Sequence, residues 1–301
     1  RAFRHIQSEL ERHKNLHDTK DKLLQWECVG FSEIDKYAVQ IYERHYGNHK
    51  NYGDARNIQP DSIPDFDLLV GGFPCQAFSI AGKRRGFDDT RGTLFFEIAR
   101  ILKAKRPRHF LLENVKGLLS HDNGNTFKTI ILTLAELGYG VEWQVLNSKN
   151  YGVPQNRERV FIIGHLGECC GRQVFPIGEN DGRYFEKQLS GKKTDDGGGV
   201  QDSKNRLGCA VLTPDRLRKR QNGRRIKNEG EPSFTLTSQD IHGVLTDGIR
   251  RLTPVECERL QGFPDGWTEG VSDSQRYKCL GNAVTVNVIE FLVRKLLIQG
   301  E

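Results

Sequence analysis

No methionine occurs in the 301 residues of this chain, where an ordinary soluble protein carries several. An apolar run of about eighteen residues, the length a membrane helix needs, is also missing, as are signal-peptide and lipidation patterns. No membrane partner is therefore expected, and the chain reads as cytoplasmic and reducing. The 7 cysteines, at 28, 75, 169, 170, 209, 257 and 279, are odd in number and lack paired Cys-x-x-Cys spacing. This favours neither a disulfide framework nor a zinc site, and no metal is expected. Charge is only mildly biased: 45 Lys and Arg against 39 Asp and Glu give a net +6, which suits a polyanion but is common in unspecialised proteins.

What is present is an alternation. Up to Leu166, strand-like runs near 27–33, 67–71, 109–113, 141–147 and 159–165 interleave with helix-like runs near 35–46, 94–105 and 126–137. In the last of these Phe127, Ile130, Ile131, Leu134 and Leu137 make one apolar stripe. The pattern predicts an α/β fold, a largely parallel sheet with helices on both faces. From Gly167 to about Gly248 apolar periodicity fades into glycine and charge, which predicts a separate, smaller, loop-rich unit. Helical spacing returns in the tail through Val288, Ile289, Leu292, Val293 and Leu296. The expected domains are 1–166 with 275–301, and 167–274.

Chemistry-bearing residues stand at the ends of the strand-like runs. Leu68-Leu69-Val70 breaks into Gly71-Gly72-Phe73-Pro74-Cys75-Gln76, placing a thiol just past a strand's carboxyl end, where open α/β sheets bind ligands. Taken alone, one such cysteine is more often an inert packing or loop thiol. A second run, His109-Phe110-Leu111-Leu112, ends in Glu113-Asn114-Val115. The stretch Gln155-Asn156-Arg157-Glu158-Arg159 delivers guanidinium groups at the mouth of a third run. Gly281-Asn282-Ala283-Val284 opens the helical tail.

In this order the segments resemble the DNA (cytosine-5)-methyltransferase family of bacterial and phage restriction-modification systems. Phe73-Pro74-Cys75-Gln76 matches its nucleophile motif, Glu113-Asn114-Val115 its Glu-Asn-Val motif, and Gln155 to Arg159 its Gln-x-Arg-x-Arg motif. The run Arg250-Arg251-Leu252-Thr253-Pro254-Val255-Glu256-Cys257-Glu258-Arg259-Leu260-Gln261-Gly262-Phe263-Pro264 and the Gly281 to Val284 motif complete the set. The resemblance implies a Rossmann-like, S-adenosylmethionine-dependent catalytic domain and a target-recognition domain in the variable segment. It implies a catalytic group of Cys75, Glu113, Arg157 and Arg159. The Cys75 thiolate would add to carbon 6 of cytosine so that carbon 5 can attack the methyl group. Glu113, with its pKa raised by burial, would donate a proton at ring N3, and Arg159 would hold O2. A strand-end carboxylate that caps a helix or pairs with a surface Lys is the alternative for Glu113.

Cofactor contacts follow similarly. Glu33, at the end of the run 27–33, is placed to accept from ribose hydroxyls. By resemblance Ile34, Asp54, Ala55, Pro74, Leu94, Asn282 and Val284 border the same pocket. A solvated surface role is the alternative for Asp54. Contacts to double-stranded DNA are expected from Gln76, Ser79, Lys83, Arg84, Arg85 and Arg91 around a closing loop, and from Arg224, Arg225 and Thr235 in the variable segment. A packed strand threonine is the alternative for Thr235. The family's glycine-rich turn, Phe-x-Gly-x-Gly-Gly, is not found before Glu27. With the missing methionine, this predicts that the chain is part of a longer protein. A tRNA cytosine-5 methyltransferase and an inactive DNA-binding homologue remain the alternatives. A monomer associated with the nucleoid, with a companion restriction endonuclease, completes the expectation.

Overall fold

Strands β2 (His109–Val115) and β4 (Glu158–Leu166) carry nearly continuous apolar runs, Phe110-Leu111-Leu112 and Val160-Phe161-Ile162-Ile163, all of them buried. Such runs belong to strands covered on both faces. The computed structural model describes residues 27–74, 94–167, 173–178, 181, 209–214 and 224–298. These fall into two units: the first takes in 27–74, 94–146, 158–167, 173–177 and 292–298, the second 147–157, 178, 181, 209–214 and 224–291.

In the first unit β1 (Leu68–Gly72) runs parallel to β2, with Leu68 opposite His109 and Gly72 opposite Glu113. Strand β4 runs antiparallel on the other side of β2, bringing Arg159 opposite Val115. Strand β3 (Tyr139–Asn147) completes the order β1-β2-β4-β3. The α/β class expected from the sequence is present, in a sheet that is mixed among the described strands rather than largely parallel. The reason is the connection: 148–157 joins β3 to β4 with no crossover helix, and a parallel neighbour needs about a dozen residues or more.

Helix α1 (Lys36–Tyr46) starts where the Asp35 carboxylate accepts from Tyr37 N at 3.0 Å and Ala38 N at 3.4 Å. Helix α2 (Leu94–Lys105) buries Phe95, Ala99 and Leu102, and α3 (Asn125–Glu136) buries Ile130 and Leu134, all at helical spacing. These side chains share one core with Phe110, Leu112, Val160 and Ile162. Each large one contributes about 1.5–3 kcal/mol on leaving water. Gly164 lies opposite Phe110, and a Cβ there would stand 2.0 Å from the Phe110 ring, so the strand needs a glycine.

The strand expected near 27–33 is not formed; Phe31 makes an isolated bridge to Asn51. Polar groups beyond it are spent locally. Glu33 Oε1 accepts from Ile34 N and Asp35 N, both at 2.9 Å, and Asp35 caps α1, so the backbone turns into the helix instead of continuing a ladder.

The second unit contains an antiparallel sheet of β5 (Cys209–Leu212), β6 (His242–Leu245) and β7 (Ile249–Arg251), within the stretch read as loop-rich. Helix α4 (Pro254–Leu260) opens with a capping box in which Thr253 and Glu256 satisfy each other's backbone amides. Helix α5 (Asp273–Asn282) follows, and α6 (Val286–Ile298) ends the described chain, passing into the first unit at Leu292. Leu236, Cys257, Phe263, Leu280 and Val286 form this unit's core. Among the described residues no helix is long and apolar enough to cross a membrane.

Candidate active site

The parallel pairing of β1 with β2 brings their carboxyl ends to one edge of the sheet. Gly72 faces Glu113 in register, and a Cβ on Gly72 would lie 3.4 Å from Glu113 Oε2, so the glycine leaves room for that carboxylate. The antiparallel β4 begins at the same edge. Arg159 Nε stands 2.8 Å from Glu113 Oε1, with side chains 14% and 23% exposed, and Arg159 NH1 also donates to Glu158 O at 2.8 Å. Burial pulls the Arg159 guanidinium below its usual pKa, an effect that the Glu113 carboxylate opposes. Glu113 is therefore not sealed from water as the burial argument expected; it is half-buried and ion-paired. Lys116 takes neither of its oxygens, pairing with Glu158 at 2.9 Å instead.

Asn114 points the other way, into the protein. It is 3% exposed, donates Nδ2 to Phe73 O at 2.7 Å and accepts from Val115 N at 2.8 Å. Its amide thus fixes the main chain just before Pro74, which is exposed. The sequence offered a signal for this: an amide that directly follows the apolar run Phe110-Leu111-Leu112 and Glu113. Cys75 itself, with Gln76, Ser79, Lys83, Arg84, Arg85 and Arg91, lies outside the described residues.

Of the expected cofactor residues, Glu33, Ile34, Asp54, Ala55, Pro74 and Leu94 belong to the first unit. Ile34 is 72% exposed beside Glu33, and Glu33 Oε2 carries no hydrogen bond among the described residues. Asp54 is occupied. Both of its oxygens hold the Arg56 side chain, with Nε at 3.0 Å from each, and Oδ1 also accepts from Arg56 N, capping a short turn at 55–57. Those bonds hold its carboxyl down at about 2. Ala55 packs with Ile58, Ile63 and Ile101. Arg100 of α2 pins this turn by donating to Ile58 O at 2.8 Å and Ala55 O at 3.2 Å, a role that the sequence did not suggest. Leu94 begins α2 and packs on the main core.

Asn282 and Val284 belong to the second unit, as do Arg157, Arg224, Arg225 and Thr235. Asn282 is exposed at the end of α5. Arg157 is 3% exposed, and its guanidinium donates to Leu236 O at 2.8 Å and Ala283 O at 2.7 Å. Thr235 Oγ1 donates to Asn156 O at 2.6 Å. Arg224 pairs with Glu231 on the surface, whereas Arg225 turns inward onto Leu212 O and Thr213 O. Buried Glu258 was also unforeseen: it accepts from Gly266 N and Thr268 N, both at 2.7 Å, and pairs with Arg276 at 3.1 Å.

The profile of the family described as C-5 cytosine-specific DNA methylase matches residues 15–195 and 177–297. The type II methyltransferase M1.ScrFI of Lactococcus lactis subsp. cremoris is 43% identical over 284 residues, covering 88% of this chain and 71% of that protein. The type II methyltransferase M.HhaI of Haemophilus parahaemolyticus is 39% identical, covering 88% and 86%. Among solved structures, Spodoptera frugiperda DNMT2 aligns with a TM-score of 0.61 at 19% identity, over 91% of this chain and 93% of that one. That last likeness concerns the fold alone. With its profile matched over most of its length, the chain belongs to the family of C-5 cytosine-specific DNA methylases and is a DNA (cytosine-5)-methyltransferase of the bacterial and phage restriction-modification kind.

Proposed function

We propose that this enzyme methylates carbon 5 of a cytosine flipped out of a specific duplex DNA sequence, through a covalent adduct with Cys75. The observation that carries this reading is the shared edge of β1, β2 and β4, where the Glu113–Arg159 pair stands beside the chain that leads through Pro74 to Cys75. S-adenosylmethionine supplies an electrophilic methyl group when bound. An adenosine fits the residues present: Ile34 offers exposed apolar surface to a base, and Glu33 Oε2 is available to a ribose hydroxyl. Asp54 is a weaker fit, because Arg56 already occupies both its oxygens; a carboxylate still has lone pairs for one more donor.

The Cys75 thiolate adds to carbon 6, opening the 5,6 double bond and moving its electrons to carbon 5, which takes the methyl group. Glu113, whose carboxyl must first take up a proton against the pull of its Arg159 partner, protonates ring N3 as charge develops there, and Arg159 donates to O2. Loss of the carbon-5 proton then expels the thiolate and restores the double bond. Extrusion of the base is required because stacking shields carbon 6 inside a duplex. Residues 167–274 carry target recognition and 1–166 with 275–301 the chemistry. The basic residues near Cys75 and Arg224 supply phosphate contacts.

Duplex DNA containing 5-fluorocytosine tests the reading, since fluorine blocks the final elimination. A covalent adduct should accumulate and should vanish in Cys75→Ser. Adducts on another cysteine would remove the nucleophile assignment, and adducts formed only with RNA would move the enzyme to the tRNA-modifying branch.

A further inference from the structure

Between β3 and β4 the chain ties a loop onto itself. Asn147 Nδ2 donates to Asn156 Oδ1 at 2.7 Å, Ser148 N to Arg157 O at 3.0 Å, and Arg157 N to Asn147 Oδ1 at 3.1 Å. The main chain of Arg157 is fixed by these bonds, and its guanidinium spans two segments far apart in sequence. NH1 holds Leu236 O, and NH2 holds Ala283 O, with Gly281 O further off at 3.4 Å. Gln261 meets the same turn with its own amide, Nε2 donating to Leu280 O at 2.7 Å and Ala283 O at 3.3 Å.

The turn has no slack on its other side. A Cβ on Gly281 would lie 2.3 Å from the carbonyl carbon of Thr237, so 281 is pressed against the backbone of 237–238. Residues 281–284 are therefore held between a backbone that admits no side chain and a charged fork. A planar guanidinium can hold carbonyls of two strands at once, which a lysine ammonium on its flexible stem cannot do with the same geometry.

We propose that Arg157 is the positioning residue of the turn 281–284: it sets the main chain around Asn282 and Val284 for the adenosine cosubstrate and does not touch the cytosine. This rests on the reading above that Asn282 and Val284 border that cosubstrate. Arg157 would then belong to cofactor binding, although it stands two residues from Arg159.

Titration calorimetry with S-adenosylhomocysteine and steady-state kinetics on Arg157→Lys decide the matter. Losing one charge-assisted hydrogen bond should weaken product binding and raise KM for S-adenosylmethionine by about tenfold, with kcat at saturation within about twofold. A general loss of folded enzyme would lower kcat and leave KM and Kd alone. If Arg157→Lys does not fold, Gln261→Met removes the turn's other donor and should raise the same Kd. A fall in kcat with unchanged Kd, at full binding stoichiometry so that loss of folded enzyme is ruled out, would overturn the proposal and place Arg157 at the reacting base. Glu33→Ala separates the two layers of inference. If it weakens binding while the Arg157 and Gln261 variants do not, the positioning role fails alone; if none of them weakens binding, the cofactor placement fails with it.

Discussion

Glu113 and Arg159 are joined across two strands that run in opposite directions, with Oε1 and Nε 2.8 Å apart. Each carries the charge the other needs, and both keep some contact with water. Deleting one partner of a well-buried pair is destabilising by about 3–5 kcal/mol, and partial exposure here reduces that figure. The pair therefore constrains which substitutions can test the chemistry.

Glu113→Gln keeps the shape and can still donate a hydrogen bond, but it cannot transfer a proton. Methyl transfer should fall by about two to four orders of magnitude, the usual scale for a general acid, while S-adenosylmethionine binding stays unchanged. Glu33→Ala should do the reverse, weakening binding by about 1–3 kcal/mol through lost ribose hydrogen bonds. Calorimetry on both variants is the check, and equal loss of binding in each would make Glu113 structural.

Asn114→Leu leaves the Phe73 carbonyl, on a residue only 7% exposed, without its side-chain donor. Urea unfolding should register about 1–3 kcal/mol of lost stability. Trapping by 5-fluorocytosine DNA should also slow, because the chain entering Cys75 loses its anchor. Trapping at the parent rate would mean that the amide has no part in presenting the thiol.

Strand ends and helices were legible in the sequence because they rest on local patterns: the apolar runs became β1, β2 and β4, and the 94–105 and 126–137 stripes became α2 and α3. The run 27–33 misled because it makes only the isolated Phe31 bridge to Asn51, and just beyond it the carboxylates at 33 and 35 take the amides of 34, 35, 37 and 38 and turn the chain into α1. Sheet direction was hidden as well, since it depends on whether the connection 148–157 contains a crossover helix. At the site, residue types in order singled out Glu113 and Arg159, and the structure brings these two side chains together. Nothing local distinguished Arg157, which points at main-chain carbonyls of Leu236 and Ala283, from its neighbour Arg159; that difference exists only after distant segments meet.

Arg224 and Arg225 were indistinguishable in sequence and should now behave differently. Arg224→Ala removes an exposed guanidinium whose partner is Glu231, so stability should barely change. If Arg224 touches phosphate, the slope of log binding constant against log salt should become shallower by about 1. Arg225→Ala withdraws donors from Leu212 O and Thr213 O at the end of β5, so it should lower the unfolding temperature before it alters sequence preference. A pair of variants with identical stability would mean that the inward contacts of Arg225 contribute nothing.

His242, at the start of β6, should make stability depend on pH in a defined window. It is 7% exposed, its Nε2 has no hydrogen-bond partner among the described residues, and burial pushes its pKa from 6.5 down to about 4. Asp240 pulls the value up and Arg251 pushes it further down, so burial decides. Between these values the unfolded chain holds a proton that the folded chain does not. The stability tied to neutral His242 is therefore fully present above pH 6.5 and is lost as pH falls toward about 4. The size is about 3 kcal/mol at full extent. Carboxyls such as Glu256, held down at about 2 by Arg250 and its capping bonds, act in a lower window, as pH falls below their ordinary range. His242→Phe removes both the titration and the unpartnered nitrogen. Urea unfolding from pH 4 to 8 should show the variant at least as stable as the parent at pH 8, with its advantage growing steadily below pH 6.5. Parallel stability curves for the two proteins across that range would show that His242 is protonated equally in both states.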